Sequence, residues 1–335
     1  MPPVEVNYTP KGSDIEIQGM KTYKTGSPSA STAILLIGDV FGNVPQVLQG
    51  ADLLAYGGES SHQYQVFVPD FLQGQYASHT WFPADTEEKQ QAIGAYFGGH
   101  ANFGKAKDKI PAVIKNIEQE TKGTITKWAA VGLCWGGKVA TLAATADTPF
   151  AAAVSTHPAM VDPKDGPPIT IPYCLLPSMH EDKDAVTKFA DGIRVEKYVE
   201  TFDDMPHGWM AARANLNDPN AKEGYKRGYE TVLNFLVLAR SYNDYKEYAT
   251  VFTIWLTKVE FACGYQAQKY IHQGETKPKE QGNQGPTSGL ICKARREAKA
   301  GVEASDVSPT DVPPSPSVTK WKSQSESFSS KPMLL

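Results

Sequence analysis

Residues 127–145 read Lys127-Trp-Ala-Ala-Val-Gly-Leu-Cys-Trp-Gly-Gly-Lys-Val-Ala-Thr-Leu-Ala-Ala-Thr145. Trp128 to Val131 is a short apolar run that suits a buried strand, and Lys138 to Thr145 continues as an Ala-rich helix. Between them lies Gly132-Leu133-Cys134-Trp135-Gly136-Gly137, of the form G-x-C-x-G. A strand ending in this motif and opening into a helix is the context of a nucleophile elbow. Small neighbours are needed there because strand and helix must approach closely around a strained central residue. The helix N-terminus favours negative charge on a thiolate or an oxyanion. A buried structural cysteine in an ordinary strand-to-helix turn is the competing interpretation.

Outward from this stretch, short apolar runs alternate with helical patterns. Thr32 to Ile37 is a strand buried on both faces, ending at Gly38-Asp39, and Pro45 to Tyr56 follows as a helix. Gln65 to Val68 is the next strand, and Lys105 to Thr121 a helix with Ile110, Val113, Ile114 and Ile117 spaced by three and four. Ala151 to Ser155, Thr170 to Leu176 and Glu196 to Phe202 read as strands, and Glu223 to Ala239 as a helix. The stretch Phe71 to Gly104 is less regular. This alternation predicts an α/β fold, with a mostly parallel central sheet flanked by helices on both faces. Such sheets carry their chemistry in loops at the carboxyl ends of the strands.

Two parts are expected: an α/β domain over 1–240 and an extension over 241–335, partly helical and then largely disordered. After His272 the chain is rich in Gly, Pro, Ser, Lys and Gln, too polar to offset its ordering entropy. The chain has 335 residues, 41% hydrophobic and 21% charged, with a formal net charge of -4. That balance argues against a phosphate-neutralising, nucleic-acid-binding chain. No apolar run reaches about eighteen residues, so no transmembrane helix is expected. The four cysteines, Cys134, Cys174, Cys263 and Cys292, form no CxxC pair, so neither a zinc site nor a disulfide scaffold is indicated. The N-terminus lacks a secretory pattern, which makes the cytoplasm the expected location.

A cysteine nucleophile needs a base, and the base an orienting acid. His207, in Met205-Pro-His-Gly-Trp209, follows the last expected strand and supplies the base. The acid falls in Pro177-Ser-Met-His-Glu-Asp-Lys-Asp184. Asp182 is the first choice, with Glu181 and Asp184 as competitors. An oxyanion hole is expected from the backbone N–H of Trp135, after the nucleophile, and of Val40, in the loop Gly38-Asp-Val-Phe-Gly42. Asp39 is placed to bias the thiol–thiolate balance of Cys134. Trp81, Phe82, Trp135 and Trp209 are candidates for an aromatic pocket, and His157 for the active-site edge.

Five stretches carry a family resemblance: Ile37 to Gly42, Pro45 to Asp52, Val66 to Phe71, Gly132 to Gly137 and His207 to Arg213. Together they make the chain from about residue 10 to 240 resemble the dienelactone hydrolase family of α/β-hydrolases, particularly its fungal branch. The resemblance implies a Cys-Asp-His triad at Cys134, Asp182 and His207, and an oxyanion hole at Val40 and Trp135. The expected activity is hydrolysis of a small-molecule ester or lactone through a thioester acyl-enzyme, without metal or organic cofactor; neither nucleic acid nor membrane is an expected partner, on the charge and hydropathy above. Family members carry a glutamate before the first oxyanion donor, where this chain has Asp39. They also use arginines to hold a substrate carboxylate. Arg213 lies in the matching neighbourhood, whereas Phe71 to Gly104 contains no arginine. The substrate-binding expectations are thus Arg213, Trp209 and Trp81. The alternatives are a catalytically silent binding or regulatory protein on the same fold and a thiol peptidase.

Overall fold

The structure, a computed structural model, describes residues 1–58 and 63–243. Apart from its first three residues, the extension expected from 241 onward lies outside the described residues.

Eight strands form one sheet: β1 (Ser13–Ile17), β2 (Met20–Gly26), β3 (Thr32–Ile37), β4 (Gln65–Pro69), β5 (Lys127–Leu133), β6 (Ala152–Thr156), β7 (Tyr173–Leu176) and β8 (Lys197–Val199). Their order across the sheet is β1-β2-β4-β3-β5-β6-β7-β8. The β1–β2 and β2–β4 pairs are antiparallel, and the pairs from β4 through β3 to β8 are parallel. Every residue of β3 is buried, as a continuous Thr-Ala-Ile-Leu-Leu-Ile run requires in a strand covered on both faces. The hairpin of β1 and β2 was not expected from the sequence, because the edge strand β1 carries Asp and Glu, β2 carries two Lys, and neither holds a long apolar run.

The helices are α1 (Pro45–Tyr56), α2 (Glu87–Gly98), α3 (Phe103–Glu120), α4 (Trp135–Ala143), α5 (Lys183–Gly192) and α6, residues 219–243. In α3 the side chains of Ala106, Ile110, Val113, Ile114 and Ile117 form the buried stripe that the three–four spacing dictates. Asn102 caps that helix, accepting from Lys105 N at 3.0 Å. No residue of α2 is fully buried, so the stretch that looked irregular lacks the apolar period that would reveal a helix. The strands expected over Thr170 to Leu176 and Glu196 to Phe202 shorten to β7 and β8.

The parallel register aligns the strand ends. Ile37 pairs with Gly132, Leu133 with Thr156, and Thr156 with Leu176. A further bridge joins Ser178 to Phe202 beyond β7 and β8. The residues following these ends, Gly38–Phe41, Cys134, His157, Ser178–Glu181 and the turn before His207, therefore share one edge of the sheet.

Candidate active site

Cys134 is the residue between β5 and α4, with φ 55 and ψ −110. A non-glycine residue there carries about 1–3 kcal/mol of backbone strain. Close packing around the turn holds it in that conformation. A Cβ on Gly136 would stand 2.0 Å from the carbonyl oxygen of Ile37, and one on Gly132 2.1 Å from that of Gly136. Cys134 N–H donates to Thr156 O at 3.1 Å, and Cys134 O accepts from Ala159 N–H at 3.0 Å, tying the turn to the end of β6.

The turn presents its thiol to one histidine. His207 Nε2 lies 3.1 Å from Cys134 Sγ, and His207 Nδ1 lies 2.6 Å from Glu181 Oε1. The Glu181 side chain is 5% exposed and that of His207 24%, so the relay is largely shielded from water. Burial alone works against charge on His207. The hydrogen bond and charge of Cys134, followed by those of Glu181, outweigh it and push the imidazole up to about 10.

The carboxylate that meets His207 is Glu181 and not the first choice, Asp182. Asp182 is the N-cap of α5, its Oδ1 accepting from Ala185 N–H at 2.6 Å, and Asp184 lies within the first turn. A capping carboxylate must face its own helix, so Asp182 turns away from His207 while Glu181, one residue earlier, faces it. Glu181 Oε2 is fixed in turn by the backbone N–H of Ser178, and the His207 N–H donates to His180 Nδ1 at 3.1 Å. The signal that could have excluded Asp182 is its place immediately before a helical run, where aspartate is a preferred cap.

Val40 and Trp135 are each 2% exposed. Gly136 N–H donates to Gly38 O at 3.1 Å, which fastens the elbow to the loop after β3. Asp39 is held by two backbone N–H groups. Its Oδ1 accepts from Phe41 N–H at 2.9 Å and its Oδ2 from Ala212 N–H at 3.0 Å, so the shorter carboxylate ties the Val40 loop to the turn after His207. Burial pushes Asp39 up from the usual carboxylate range, against the opposing pull of those two N–H groups and of the nearby His207 and His79.

Trp209 is core rather than pocket. It is 1% exposed, stacks on Phe202 at 4.8 Å and donates through Nε1 to Gly224 O at 3.2 Å. His157, fully buried, packs edge-on against His207 at 5.3 Å and Trp209 at 5.0 Å, with neither ring nitrogen partnered. Burial pushes it well below the ordinary histidine value, so it is neutral beside His207. Arg213 is exposed, and its side chain lies along Gly208, next to His207.

Trp81 belongs to a belt of half-buried rings. Phe41 stacks on His79 at 4.2 Å and meets Phe82 edge-on at 5.8 Å. Trp81 contacts Tyr96 at 5.6 Å, Tyr96 contacts Phe97 at 5.8 Å, and Phe97 stacks on Phe103 at 5.3 Å. Phe103 reaches Trp135 at 6.3 Å, and the Trp135 indole donates to Ala101 O at 2.8 Å. Among the described residues, no group of three or more His, Cys, Asp or Glu is arranged to hold a metal ion, and no helix is long and apolar enough to cross a membrane.

A mostly parallel sheet with a strained residue at a strand-to-helix elbow, facing a histidine and then a carboxylate, defines an α/β-hydrolase fold. Within that class, the model of the dienelactone hydrolase family matches residues 20–238, and the chain belongs to that family. Two uncharacterized AIM2 family proteins of Schizosaccharomyces pombe are similar to it. One is 35% identical over 239 residues, covering 70% of this chain and 94% of that protein. The other is 33% identical over 236 residues, covering 68% and 92%. The crystal structure of dienelactone hydrolase from Anabaena variabilis aligns with a TM-score of 0.46 at 14% identity, covering 66% of this chain and 95% of that one.

Proposed function

We propose that the protein hydrolyses a carboxylic ester or lactone by covalent catalysis at Cys134. The observation that carries this reading is the continuous contact from Cys134 Sγ through both nitrogens of His207 to Glu181, at 3.1 and 2.6 Å. Membership of a hydrolase family supports it. In the proposed reaction, His207 Nε2 holds the thiol proton and Sγ attacks the acyl carbon, forming the C–S bond. The carbonyl electrons move to oxygen, and the oxyanion receives the N–H groups of Val40 and Trp135. When the C–O bond breaks, His207 gives its proton to the leaving oxygen, and a thioester remains. Water, losing a proton to His207, then attacks the thioester; the acid departs and sulfur is released.

Glu181 orients the imidazole and favours its charged form, while the α4 N-terminus favours the negative charge that develops on the oxyanion. Arg213, exposed beside Gly208, is the candidate for a substrate carboxylate on the His207 side. The test follows p-nitrophenyl acetate and a dienelactone with wild type and Cys134→Ala. Wild-type turnover that Cys134→Ala abolishes is the expected result. Full activity in Cys134→Ala overturns the mechanism. Cleavage of the activated ester alone keeps the mechanism and removes dienelactones from the substrate class.

A further inference from the structure

We infer that the belt of rings beside the oxyanion loop receives an uncharged, aryl-bearing acyl group of the ester. This inference rests on the ester-hydrolase reading and adds the substrate class to it. The leaving oxygen must come within reach of His207 Nε2 to take its proton, which commits the His207 side of the site to the leaving group. The acyl substituent then occupies the other side of the carbonyl carbon. That side is bordered by the residues attached to the two oxyanion donors: Phe41, which follows Val40, and Trp135 itself.

Both lead into the belt. Phe41 stacks on His79 within 4° of parallel and contacts Phe82, while Trp135 is backed by Phe103. Phe41, Trp81, Phe82 and Phe103 are half-buried, so their rings keep accessible surface, unlike Trp209. The aromatic faces and edges on offer favour offset-stacked or edge-to-face contacts with another ring.

Charge points the same way. Lys89 is the single Lys or Arg between residues 71 and 104, and it is paired with Asp85 at 2.7 Å. On the other elements the ionisable groups around the site are His207 with Glu181, Asp39 in the Val40 loop, and Arg213 beside Gly208 on the His207 side, while His79 stacks on Phe41 within the belt. A carboxylate on the acyl group would lose its hydration against these rings, and the one ammonium of that stretch, Lys89, already holds Asp85.

The test compares p-nitrophenyl phenylacetate with p-nitrophenyl hemiglutarate, whose acyl group ends in a carboxylate, using the full chain. Wild type is expected to favour phenylacetate in kcat/KM by about tenfold or more, the scale on which an apolar pocket discriminates. Phe82→Ala and Trp81→Ala are expected to lower that ratio several-fold. A second readout needs no turnover: the rate at which Cys134, located by mass spectrometry, is alkylated by 2-iodo-N-phenylacetamide relative to iodoacetate. Wild type is expected to favour the phenyl reagent, and both variants to lose part of the preference. Preference for hemiglutarate, or ratios that neither variant changes, overturns the inference and leaves the hydrolase reading intact. If Cys134→Ala retains full esterase activity, the hydrolase reading fails, and the alkylation ratio alone still decides whether the belt accepts an aryl group.

Discussion

Replacing Glu181 by Gln and, separately, Asp182 by Ala distinguishes the two neighbouring acids with one assay. Glu181 Oε1 is 2.6 Å from His207 Nδ1, on a side chain 5% exposed. A charge-assisted bond shielded to that degree is worth about 1.5–3 kcal/mol. Glutamine also offers N–H where His207 Nδ1 must donate, which favours the tautomer whose Nε2 cannot accept the thiol proton. The expected loss in kcat/KM is between about 10²- and 10⁴-fold, or roughly 2.7–5.4 kcal/mol of barrier. Asp182→Ala removes the cap bond to Ala185 N, at 2.6 Å. That costs about 1 kcal/mol of stability and leaves kcat/KM within about threefold. Release of p-nitrophenolate from p-nitrophenyl acetate measures the first effect, and urea unfolding the second. A hundredfold loss in Asp182→Ala, with Glu181→Gln within about threefold of wild type, refutes the assignment of roles.

Three further outcomes are expected. Cys134→Gly is more stable than Cys134→Ala by about 1 kcal/mol, because glycine accepts the positive φ of 55 without strain; equal unfolding midpoints contradict this. His207, pushed up to about 10, lies above its unfolded value of about 6.5, so its contribution to stability is complete below that lower value and fades as pH rises through about 10. In Glu181→Gln, one of the partners that raise His207 is gone, so the contribution is smaller and its fading is complete at lower pH; urea midpoints that coincide for both proteins from pH of about 6 to 10 exclude the coupling. Asp39→Asn keeps only one acceptor oxygen for the N–H groups of Phe41 and Ala212, and is expected to lose about 1–2 kcal/mol of stability and to slow p-nitrophenyl acetate turnover severalfold. Crystallographic or NMR evidence that both N–H bonds persist in Asp39→Asn removes the basis for that loss.

The local patterns of the sequence determined the elbow at Cys134. The apolar run before Gly132 and the small residues after Cys134 specify a strand, a turn and a helix, because both periodicity and steric tolerance are properties of neighbouring residues. His207 was legible through its position after the last strand, and the parallel sheet through its alternation with helices. Other features depended on tertiary contacts. Glu181 and Asp182 are adjacent carboxylates of nearly equal chemistry, and only the direction of α5 decides which one faces His207 and which one caps the helix. Trp81 and Trp209 look alike in sequence, yet one is half-buried in the ring belt and the other is buried between His157 and Phe202. For Asp39, no local pattern shows that the fold brings Ala212 N–H, 173 residues away, to its second oxygen. A carboxylate or a ring has no address of its own: its role is set by the groups that the fold places within about 3–6 Å of it, many of them distant in sequence.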